Sequence, residues 1–447
     1  AHNCMSKCTR NFYESPVHIR NVKLESANGG YDALMKDLKK PEVTCSEKAA
    51  VVGGGPAGLA AAFFLARSGM KVTIFEKQDS LGGIIKHVIP EFRIPTESIE
   101  KDIELVRAMG VEVKCNTEIK SVDEVKAMGY DYVVLAVGAS KPGAVKLEKG
   151  EALNALDVMS KLKKAPESIS LGKNVVVIGG GNSAMDAARA AKRADGVENV
   201  YLVYRRTSKY MPADEEELLM ALEDGVEFKE LLAPVALENG VLKCEQMKLG
   251  EMDASGRCKP EATGVMVDVP ADTVLAAVGE RIDTDFYTAN GIAVNERGRA
   301  VVNEGTLETS VKGVYVAGDG VYGPATVVEA IRDAQKVSNG ILKGAIVFGD
   351  VEADADPEVL YAKKGILAKS DEMKETDRCL KCSSICENCV DVCPNRANVE
   401  VIVPGKKMPQ IVHVDIMCNE CGNCKVFCPY SSAPYKDKFT VFATEAD

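Results

Sequence analysis

The chain has 447 residues, of which 46% are hydrophobic and 27% are charged, and its formal net charge is -11. This composition is typical of a globular protein of about three domains and excludes a largely disordered chain. No apolar run approaches the roughly 20 residues of a membrane helix, no basic-then-apolar leader opens the chain and no Lys/Arg cluster offers a surface to nucleic acid, so we expect a cytoplasmic protein without membrane or nucleic-acid partners.

Residues 1–45 are predicted to form a helical N-terminal region whose helix stops before Pro41, because proline cannot continue a helix. The cysteines of this region are Cys4, Cys8 and Cys45. Three thiols are fewer than the four that a 4Fe-4S cluster takes, so the sequence disfavours an N-terminal cluster.

The first nucleotide motif is Gly53-x-Gly55-x-x-Gly58, which follows a short apolar strand and opens an Ala-rich helix. The first two glycines permit a tight turn and let a pyrophosphate approach the backbone, and the third lets the helix pack closely on the strand. A second strand ends at Glu76, whose carboxylate suits a ribose diol. We therefore predict an FAD site that contains Gly53, Gly55, Pro56, Ala57, Gly58, Glu76, Lys77, Gly82, Gly83 and Gly138.

A second fingerprint, Gly179-x-Gly181, follows the strand 174–178 and opens its own helix. The next strand ends at Arg205 and Arg206, where the first copy has Glu76, so the charge expected at the ribose is reversed. A 2'-phosphate fits two arginines better than a free diol does, although a solvated pair at a strand end is the competing interpretation. The pattern predicts an NADPH site that contains Gly179, Gly181, Asn182, Ser183, Arg205, Arg206 and Gly279.

We interpret the second fingerprint as an insertion in the first domain. Residues 132–138 and 273–279 are both apolar strands that end in glycine, where the chain is expected to cross between domains. A further buried strand ends at Gly318 and Asp319, and the helix after Ala325 and Thr326 is expected to point its positive N-terminus at the flavin. We predict an FAD-binding domain at residues 46–145 and 271–347 and an NADPH-binding domain at residues 146–270.

Two cysteine runs follow, Cys382-x3-Cys386-x2-Cys389-x3-Cys393-Pro and Cys418-x2-Cys421-x2-Cys424-x3-Cys428-Pro. In such runs three thiolates of one loop bind one cubane and the cysteine before proline reaches the other, whereas a zinc site has no use for the repeated Cys-Pro. We predict a linker at 348–376 and a ferredoxin-like domain at 377–447 with two 4Fe-4S clusters. The proposed ligands are Cys382, Cys386, Cys389 and Cys428 for one cluster and Cys393, Cys418, Cys421 and Cys424 for the other, with Cys379 as an alternative to Cys382.

These features resemble the two-dinucleotide flavoprotein family and, within it, the small subunit of NADPH-dependent glutamate synthase, which shares the Tyr-Arg-Arg at 204–206 and the Met-Pro-Ala at 211–213. Three other stretches, 2–13, 389–398 and 434–438, resemble a bacterial family of iron-sulphur flavoproteins described as selenate reductase subunits. That family is similar to a fusion of its own N-terminal portion, a glutamate-synthase-like flavin unit and a ferredoxin module. The resemblance implies that the chain is a fragment and that residues 1–45 are the remnant of an iron-sulphur domain.

The sequence thus predicts an α/β protein with two Rossmann-like dinucleotide-binding domains, one inserted in the other, followed by an α+β bacterial ferredoxin-like domain. It predicts an oxidoreductase that passes a hydride from NADPH to FAD and then single electrons through the clusters to an acceptor protein or a missing N-terminal domain, without a catalytic side chain. The alternative is a non-enzymatic electron-wiring subunit, against which Arg205 and Arg206 argue. A disulfide reductase is disfavoured because no C-x2-C occurs between Cys45 and Cys379.

Overall fold

The computed structural model describes residues 5, 8–12, 15–139, 141–252, 256–346, 359, 362, 378–379, 387–404, 409–428 and 432–444. Contacts divide the chain into two units, one of residues 38–348 and one of residues 1–37 together with 349–447. Cys4, Cys382, Cys386 and most of the predicted linker lie outside the described residues. None of the helices in the described part of the chain is both long and apolar enough to cross a membrane.

The described secondary structure alternates strands and helices over most of the chain. The strands are β1 (Lys48–Val52), β2 (Lys71–Phe75), β3 (Glu112–Lys114), β4 (Tyr132–Leu135), β5 (Lys141–Pro142), β6 (Leu153–Asn154), β7 (Asn174–Ile178), β8 (Asn199–Tyr204), β9 (Glu227–Glu230), β10 (Leu232–Glu238), β11 (Val241–Met252), β12 (Cys258–Pro270), β13 (Thr273–Ala276), β14 (Glu280–Arg281), β15 (Val314–Val316), β16 (Asn398–Val401), β17 (Gln410–Val414) and β18 (Phe439–Val441). The α-helices are α1 (Ile19–Asp37), α2 (Pro56–Arg67), α3 (Gly83–His87), α4 (Thr96–Ala108), α5 (Val122–Ala127), α6 (Ala155–Lys164), α7 (Asn182–Lys192), α8 (Glu215–Glu223), α9 (Thr284–Ala289), α10 (Asp319–Tyr322), α11 (Val327–Ile341), α12 (Asn388–Asp391), α13 (Asn423–Val426) and α14 (Pro434–Asp437).

The first sheet is parallel and five-stranded, in the order β15-β4-β1-β2-β3. Its central strand β1 is buried from Ala49 to Val52, which is why this strand reads as a continuous apolar run rather than an alternating one. Helices α2, α4 and α11 contribute Ala61, Ile103 and Ala334 to the same core. We call the first sheet and these helices the first module.

The second sheet is also parallel and five-stranded, in the order β6-β13-β7-β8-β9. Its two faces are covered differently, because Val175 and Val177 of β7 face the core formed with α6, α7 and α8, whereas Val176 and Ile178 face a second core. That second core contains residues of the three-stranded antiparallel sheet β10-β11-β12. The second sheet and its covering elements form the second module.

The strand β13 differs in place from the sequence-based expectation. The sequence pattern predicts that residues 271–347 belong to the first domain, but Thr273–Ala276 pairs in parallel with Val175–Ile178 of β7 and so belongs to the second sheet. The chain rejoins the first sheet only at β15, which pairs with β4. Strands β4 and β13 are both short and buried, and a glycine follows the end of each one three residues later. The apolar pattern alone therefore does not show which sheet β13 joins.

The remaining unit, residues 1–37 with 349–447, contains a small mixed sheet in which β16 and β17 are antiparallel and β17 and β18 are parallel. The short helices α12 and α13 each carry one cysteine of the predicted cluster motifs, Cys389 and Cys424 respectively. A 3-10 helix, Thr9–Phe12, joins the same unit through Arg10, which is fully buried and donates from Nε to the carbonyl oxygen of Arg378 at 2.6 Å.

Candidate dinucleotide and cysteine sites

The first glycine turn connects the carboxyl end of β1 to the start of α2. Gly53 has a φ of +104°, and a Cβ on Gly58 would collide with the carbonyl oxygen of Gly53, so close packing explains glycine at both positions. Gly55 has no such reason, because the nearest atom to a Cβ placed there is Cα of Gly83 at 3.8 Å. No side chain caps α2, so the first N–H groups of this helix have no side-chain acceptor.

Glu76 lies at the end of β2, next to this turn, and is only 5% exposed. Its Oε2 accepts the Gly54 N–H at 2.7 Å and its Oε1 accepts the Gln78 N–H at 2.8 Å. A carboxylate has about four lone-pair directions, so two donors leave it able to accept further hydrogen bonds. The neighbouring Lys77 is exposed.

Two other loops meet the first glycine turn. The Gly82 N–H donates to the carbonyl oxygen of Gly54 at 2.8 Å, and a Cβ on Gly83 would lie 2.7 Å from Cα of Gly55. Gly318, which follows β15, lies so close to α2 that a Cβ placed on it would be 2.7 Å from Cβ of Ala57. The structure therefore brings together the predicted residues that follow β1, precede α3 and follow β15.

Asp319 and Thr326 shape the loop that joins β15 to α11. Oδ1 of Asp319 accepts the Ala325 N–H at 3.1 Å; burial raises the pKa of this carboxyl, and the Ala325 N–H partly offsets the rise. Thr326 caps α11 reciprocally with Glu329, so the helix begins at Val327. Gly138 lies near Gly320, whose Cβ position is 3.8 Å from the Gly138 carbonyl oxygen.

The second glycine turn repeats the first at the carboxyl end of β7. A Cβ on Gly179 would collide with the Ala277 carbonyl oxygen, whereas a Cβ on Gly181 would meet no atom within 4 Å. Helix α7 starts directly after Gly181 with no side-chain cap. The Asp214 N–H donates to Oδ1 of Asn182 at 3.0 Å, which ties the start of α7 to the residue before α8. Ser183, the next residue of α7, is half-buried.

The chain crosses between the modules near Gly279. The carbonyl oxygen of Gly279 accepts the Gly143 N–H at 2.8 Å there.

The structure separates the roles of the two arginines after β8. Arg205 is exposed. Arg206 is 8% exposed and donates from Nε to the carbonyl oxygen of Cys258, the first residue of β12. This hydrogen bond of Arg206 links the end of β8 to the start of β12. Only Arg205 of the pair is exposed to solvent, at the strand end where the sequence predicts a ribose.

A buried charge cluster, which the sequence analysis did not identify, lies between the modules. Arg93 precedes α4, and its Nη1 donates to Oδ1 of Asp186 at 2.8 Å and also pairs with Oε2 of Glu217. Burial, together with repulsion by Glu217, raises the pKa of Asp186 to about 6, and attraction to Arg93 and Arg189 offsets part of this effect. Nothing in the local pattern around Arg93 reveals partners 93 and 124 residues away.

Four of the predicted cluster ligands line one pocket in the smaller unit, which we call the cysteine pocket: Cys393, Cys418, Cys421 and Cys424. The Ala397 N–H donates to Sγ of Cys393 at 3.1 Å, and the Glu420 N–H donates to Sγ of Cys418 at 3.3 Å. Among the described residues no three His, Cys, Asp or Glu side chains are close enough to hold a single metal ion. A cubane binds each thiolate through a different iron and therefore needs them farther apart.

Of the other predicted cluster cysteines, the described residues include Cys389, Cys428 and the alternative ligand Cys379. Cys389 is buried in α12 and Cys428 is half-buried after α13, while Cys379 adjoins the buried Arg378. Cys244 lies in the core beneath the second sheet, where burial raises the pKa of its thiol to about 12, so it is not a reactive thiolate at neutral pH.

A family model described as pyridine nucleotide-disulphide oxidoreductase matches residues 47–334, and the chain belongs to this family of NAD(P)H-dependent oxidoreductases. Over its whole length the chain is 40% identical to "Putative oxidoreductase YgfK" of Escherichia coli (strain K12), but it spans only 45% of that protein. It is 34% identical to the beta subunit of NADPH-Fe(3+) oxidoreductase of Geobacter sulfurreducens, a match that covers 76% of this chain and 56% of the relative. It is 31% identical to the glutamate synthase (NADPH) small chain of Escherichia coli (strain K12), covering 76% and 77%.

Solved structures share the fold over about two thirds of the chain. FprA of Mycobacterium tuberculosis in complex with NADPH superposes with a TM-score of 0.57 at 20% identity, covering 67% of this chain and 84% of that one. Thioredoxin reductase of T. acidophilum gives a TM-score of 0.50 at 22% identity, covering 67% and 97%. The expectation of Rossmann-like α/β sheets is thereby confirmed.

Asp186 is expected to make folding stability depend on pH. Since its pKa is raised from 3.8 to about 6 in the folded chain, its contribution to the free energy of unfolding is complete at low pH and is lost as the pH rises through 6. Relative to Asp186→Asn, the wild type should lose about 1 kcal/mol between about pH 5 and 7.5 in urea denaturation. Asp285→Asn, at an exposed helix position, is the control. Parallel pH profiles for wild type and Asp186→Asn would contradict the expectation.

Proposed function

We propose that the protein is an NADPH-oxidising iron-sulphur flavoprotein, in which a hydride passes from NADPH to FAD and single electrons then pass through two 4Fe-4S clusters to an acceptor on a partner protein or on a further domain. Oxidation of NADPH to NADP+ supplies two electrons and one proton as hydride, and solvent supplies the second proton of the reduced flavin. The observation that carries the proposal is that neither Gly55 nor Gly181 is required by packing, since a Cβ would make only ordinary contact at Gly55 and none within 4 Å at Gly181, and that each lies at the uncapped start of a helix after a parallel strand. Helix N-termini of this kind favour phosphate.

The residues of the first turn fit FAD. Glycine at position 55 serves no packing need, so its missing side chain leaves room for a pyrophosphate. Glu76 is held where its remaining lone pairs could accept hydrogen bonds from the hydroxyl groups of a ribose diol. Bound flavin would supply the conversion of two-electron to one-electron transfer. Asp319 and the start of α11 would contribute polar contacts and the helix dipole to the other end of the cofactor.

The residues of the second turn fit a phosphorylated nicotinamide nucleotide. Arg205 stands at the strand end where a carboxylate would select a free ribose, and it is exposed and available to a 2'-phosphate. The relatives named for NADPH, from Geobacter sulfurreducens and Escherichia coli, support the same choice of nucleotide. The substrate and acceptor of the whole protein belong to the proposal as well, because the chain spans about half the length of several relatives.

The cysteine pocket fits one of the clusters. Its thiols are the four that the sequence assigns to a single cubane, and two of them accept backbone N–H groups, which stabilise thiolate charge and tune a cluster's reduction potential. The second cluster would use Cys389 and Cys428 with Cys382 and Cys386, and the last two lie outside the described residues.

Arg205→Ala is the test of the nucleotide assignment. Loss of one charge-assisted contact should raise the NADPH concentration needed for half-maximal flavin bleaching by about 10- to 100-fold under anaerobic conditions, because such a contact is worth roughly 1.5–3 kcal/mol. The NADH requirement should stay within about twofold of wild type, since NADH has no 2'-phosphate. Arg297→Ala, at an exposed position between α9 and β15, is the matched control.

The two nucleotides separate the proposal from its alternative. Reduction of the flavin by NADPH at far lower concentration than by NADH supports it. Equal loss of NADPH and NADH efficiency in Arg205→Ala would contradict the role given to Arg205, and a wild-type flavin that neither nucleotide reduces would leave an electron-wiring subunit in place of an enzyme.

Cys421→Ala tests the clusters. Two 4Fe-4S clusters should give roughly eight irons per anaerobically purified chain, and removing one ligand of the cysteine pocket should lower this to about four. Flavin content should be unchanged, because the predicted flavin residues belong to the other unit. Cys115→Ala is the control. Unchanged iron in Cys421→Ala would contradict the assignment, and iron loss in Cys379→Ala but not in Cys382→Ala would exchange these two ligands.

A further inference from the structure

A short segment of the first module contacts the second module. Ile85 and Ile94 pack against the first core, whereas Val88, between them in sequence, packs against the core beneath α7. From α6, Lys163 donates to the carbonyl oxygen of Ile89 at 2.6 Å. We call residues 88–93 the docking segment.

Arg93 supplies the charged contact of the docking segment. Its partners Asp186, in the second turn of α7, and Glu217, in the first turn of α8, are each 5% exposed. Two buried carboxylates side by side are costly unless a cation compensates them. The free-energy cost of burying Asp186 and Glu217 as charged groups is therefore low only while Arg93 lies between them.

Phe92 makes a second contact with the second module, through two arginines whose side chains are held by Asp224. The guanidinium carbons of Arg189 and Arg193, both presented by the α7 end of the second module, lie 4.9 and 4.3 Å from the centre of its ring. Asp224 binds both arginines, with Oδ2 at 2.6 Å from Arg189 Nε and from Arg193 Nη1. Cation–π contacts of this kind are worth about 0.5–2 kcal/mol.

The chain connects the two modules covalently at two short crossings. The two chain crossings pair with each other over two residues each, Glu280 and Arg281 of β14 with Pro142 and Lys141 of β5. Gly138 and Gly279, with φ of +69° and +91°, flank them. A few residues of this kind can absorb a rotation between modules, so the orientation depends on contacts made elsewhere.

We propose that the docking segment fixes the orientation of the second module on the first, with Arg93 as the positioning residue. The inference rests on the proposed function, because hydride transfer requires the nicotinamide and flavin rings to meet, and displacements of about 1 Å can reduce the rate by about two orders of magnitude. Arg93 acts through α7, whose first residue, Asn182, belongs to the predicted nucleotide site. The segment thus sets where the nucleotide held at Gly181 is presented to the flavin site at Gly55.

Arg93→Met removes the guanidinium and keeps the length of the side chain. In nucleotide-free protein, amide hydrogen exchange in the docking segment and in the first turns of α7 and α8 should accelerate about tenfold or more, because local opening becomes cheaper. In anaerobic stopped flow, the limiting rate of flavin reduction at saturating NADPH should fall at least about tenfold, while the dissociation constant for NADP+ stays within about twofold. Arg93→Lys should recover most of the rate, since an ammonium can still donate to both carboxylates.

Two further variants make the test robust. Arg297→Met is the matched control and should behave as wild type. The triple variant Arg93→Met, Asp186→Asn, Glu217→Gln removes the uncompensated charge, so it should fold as stably as wild type and still show the slow limiting rate.

The outcomes separate the two proposals. A wild-type flavin that NADPH does not reduce defeats the proposed function, but the exchange measurement needs no nucleotide and still tests docking. Wild-type exchange and wild-type limiting rate in both Arg93→Met and the triple variant would overturn the positioning role. A rate loss accompanied by an equal loss of NADP+ affinity would overturn it too, because Arg93 would then belong to the nucleotide site itself.

Discussion

The structure of the larger unit depends on one steric constraint. The first turn of a helix must pack directly against the backbone at the carboxyl end of a buried strand. At Gly58 and Gly179 a single methyl group would collide with a backbone carbonyl oxygen, so β1–α2 and β7–α7 can form only with glycine there. Each turn leaves an uncapped helix start beside a glycine that packing does not require, Gly55 or Gly181. The same geometry that closes the turn therefore creates the place for an anion.

Duplication of this unit leads to different surroundings for the two copies. At the first copy a buried carboxylate, Glu76, is fixed by two backbone N–H groups, whereas at the second copy one arginine is exposed and its neighbour is committed to β12. The charge at the strand end is thus opposite in the two turns, although both turns join a parallel strand to a helix. In the proposed function, selectivity between nucleotides would come from the strand-end residue, and the fold common to both turns would supply only phosphate binding.

Sequence could predict what depends on neighbours in the chain. Both strand-turn-helix units and Glu76 at the end of β2 follow from local spacing. The common pocket of Cys393, Cys418, Cys421 and Cys424 joins two cysteine runs and follows from the repeated Cys-Pro motif. The sheet to which β13 belongs does not, because Thr273–Ala276 is as apolar as β4 and either sheet could bury it. The unequal burial of Arg205 and Arg206, and the cluster at Arg93, depend on partners from 52 to 124 residues away, which no local periodicity encodes.

The composition of the Arg93 cluster bears on its purpose. One guanidinium shared by two buried carboxylates leaves excess negative charge in a poorly solvated place, and apolar residues of the same volume would often hold two surfaces together as firmly or more so. Apolar contacts are not directional, however, whereas hydrogen bonds from a single Nη1 to oxygens on two helices specify one angle between the helices and the docking segment. Such a cluster contributes little to stability relative to what it contributes to geometry. The proposed hydride transfer, with one nucleotide held by each module, would require that exchange of stability for a defined orientation.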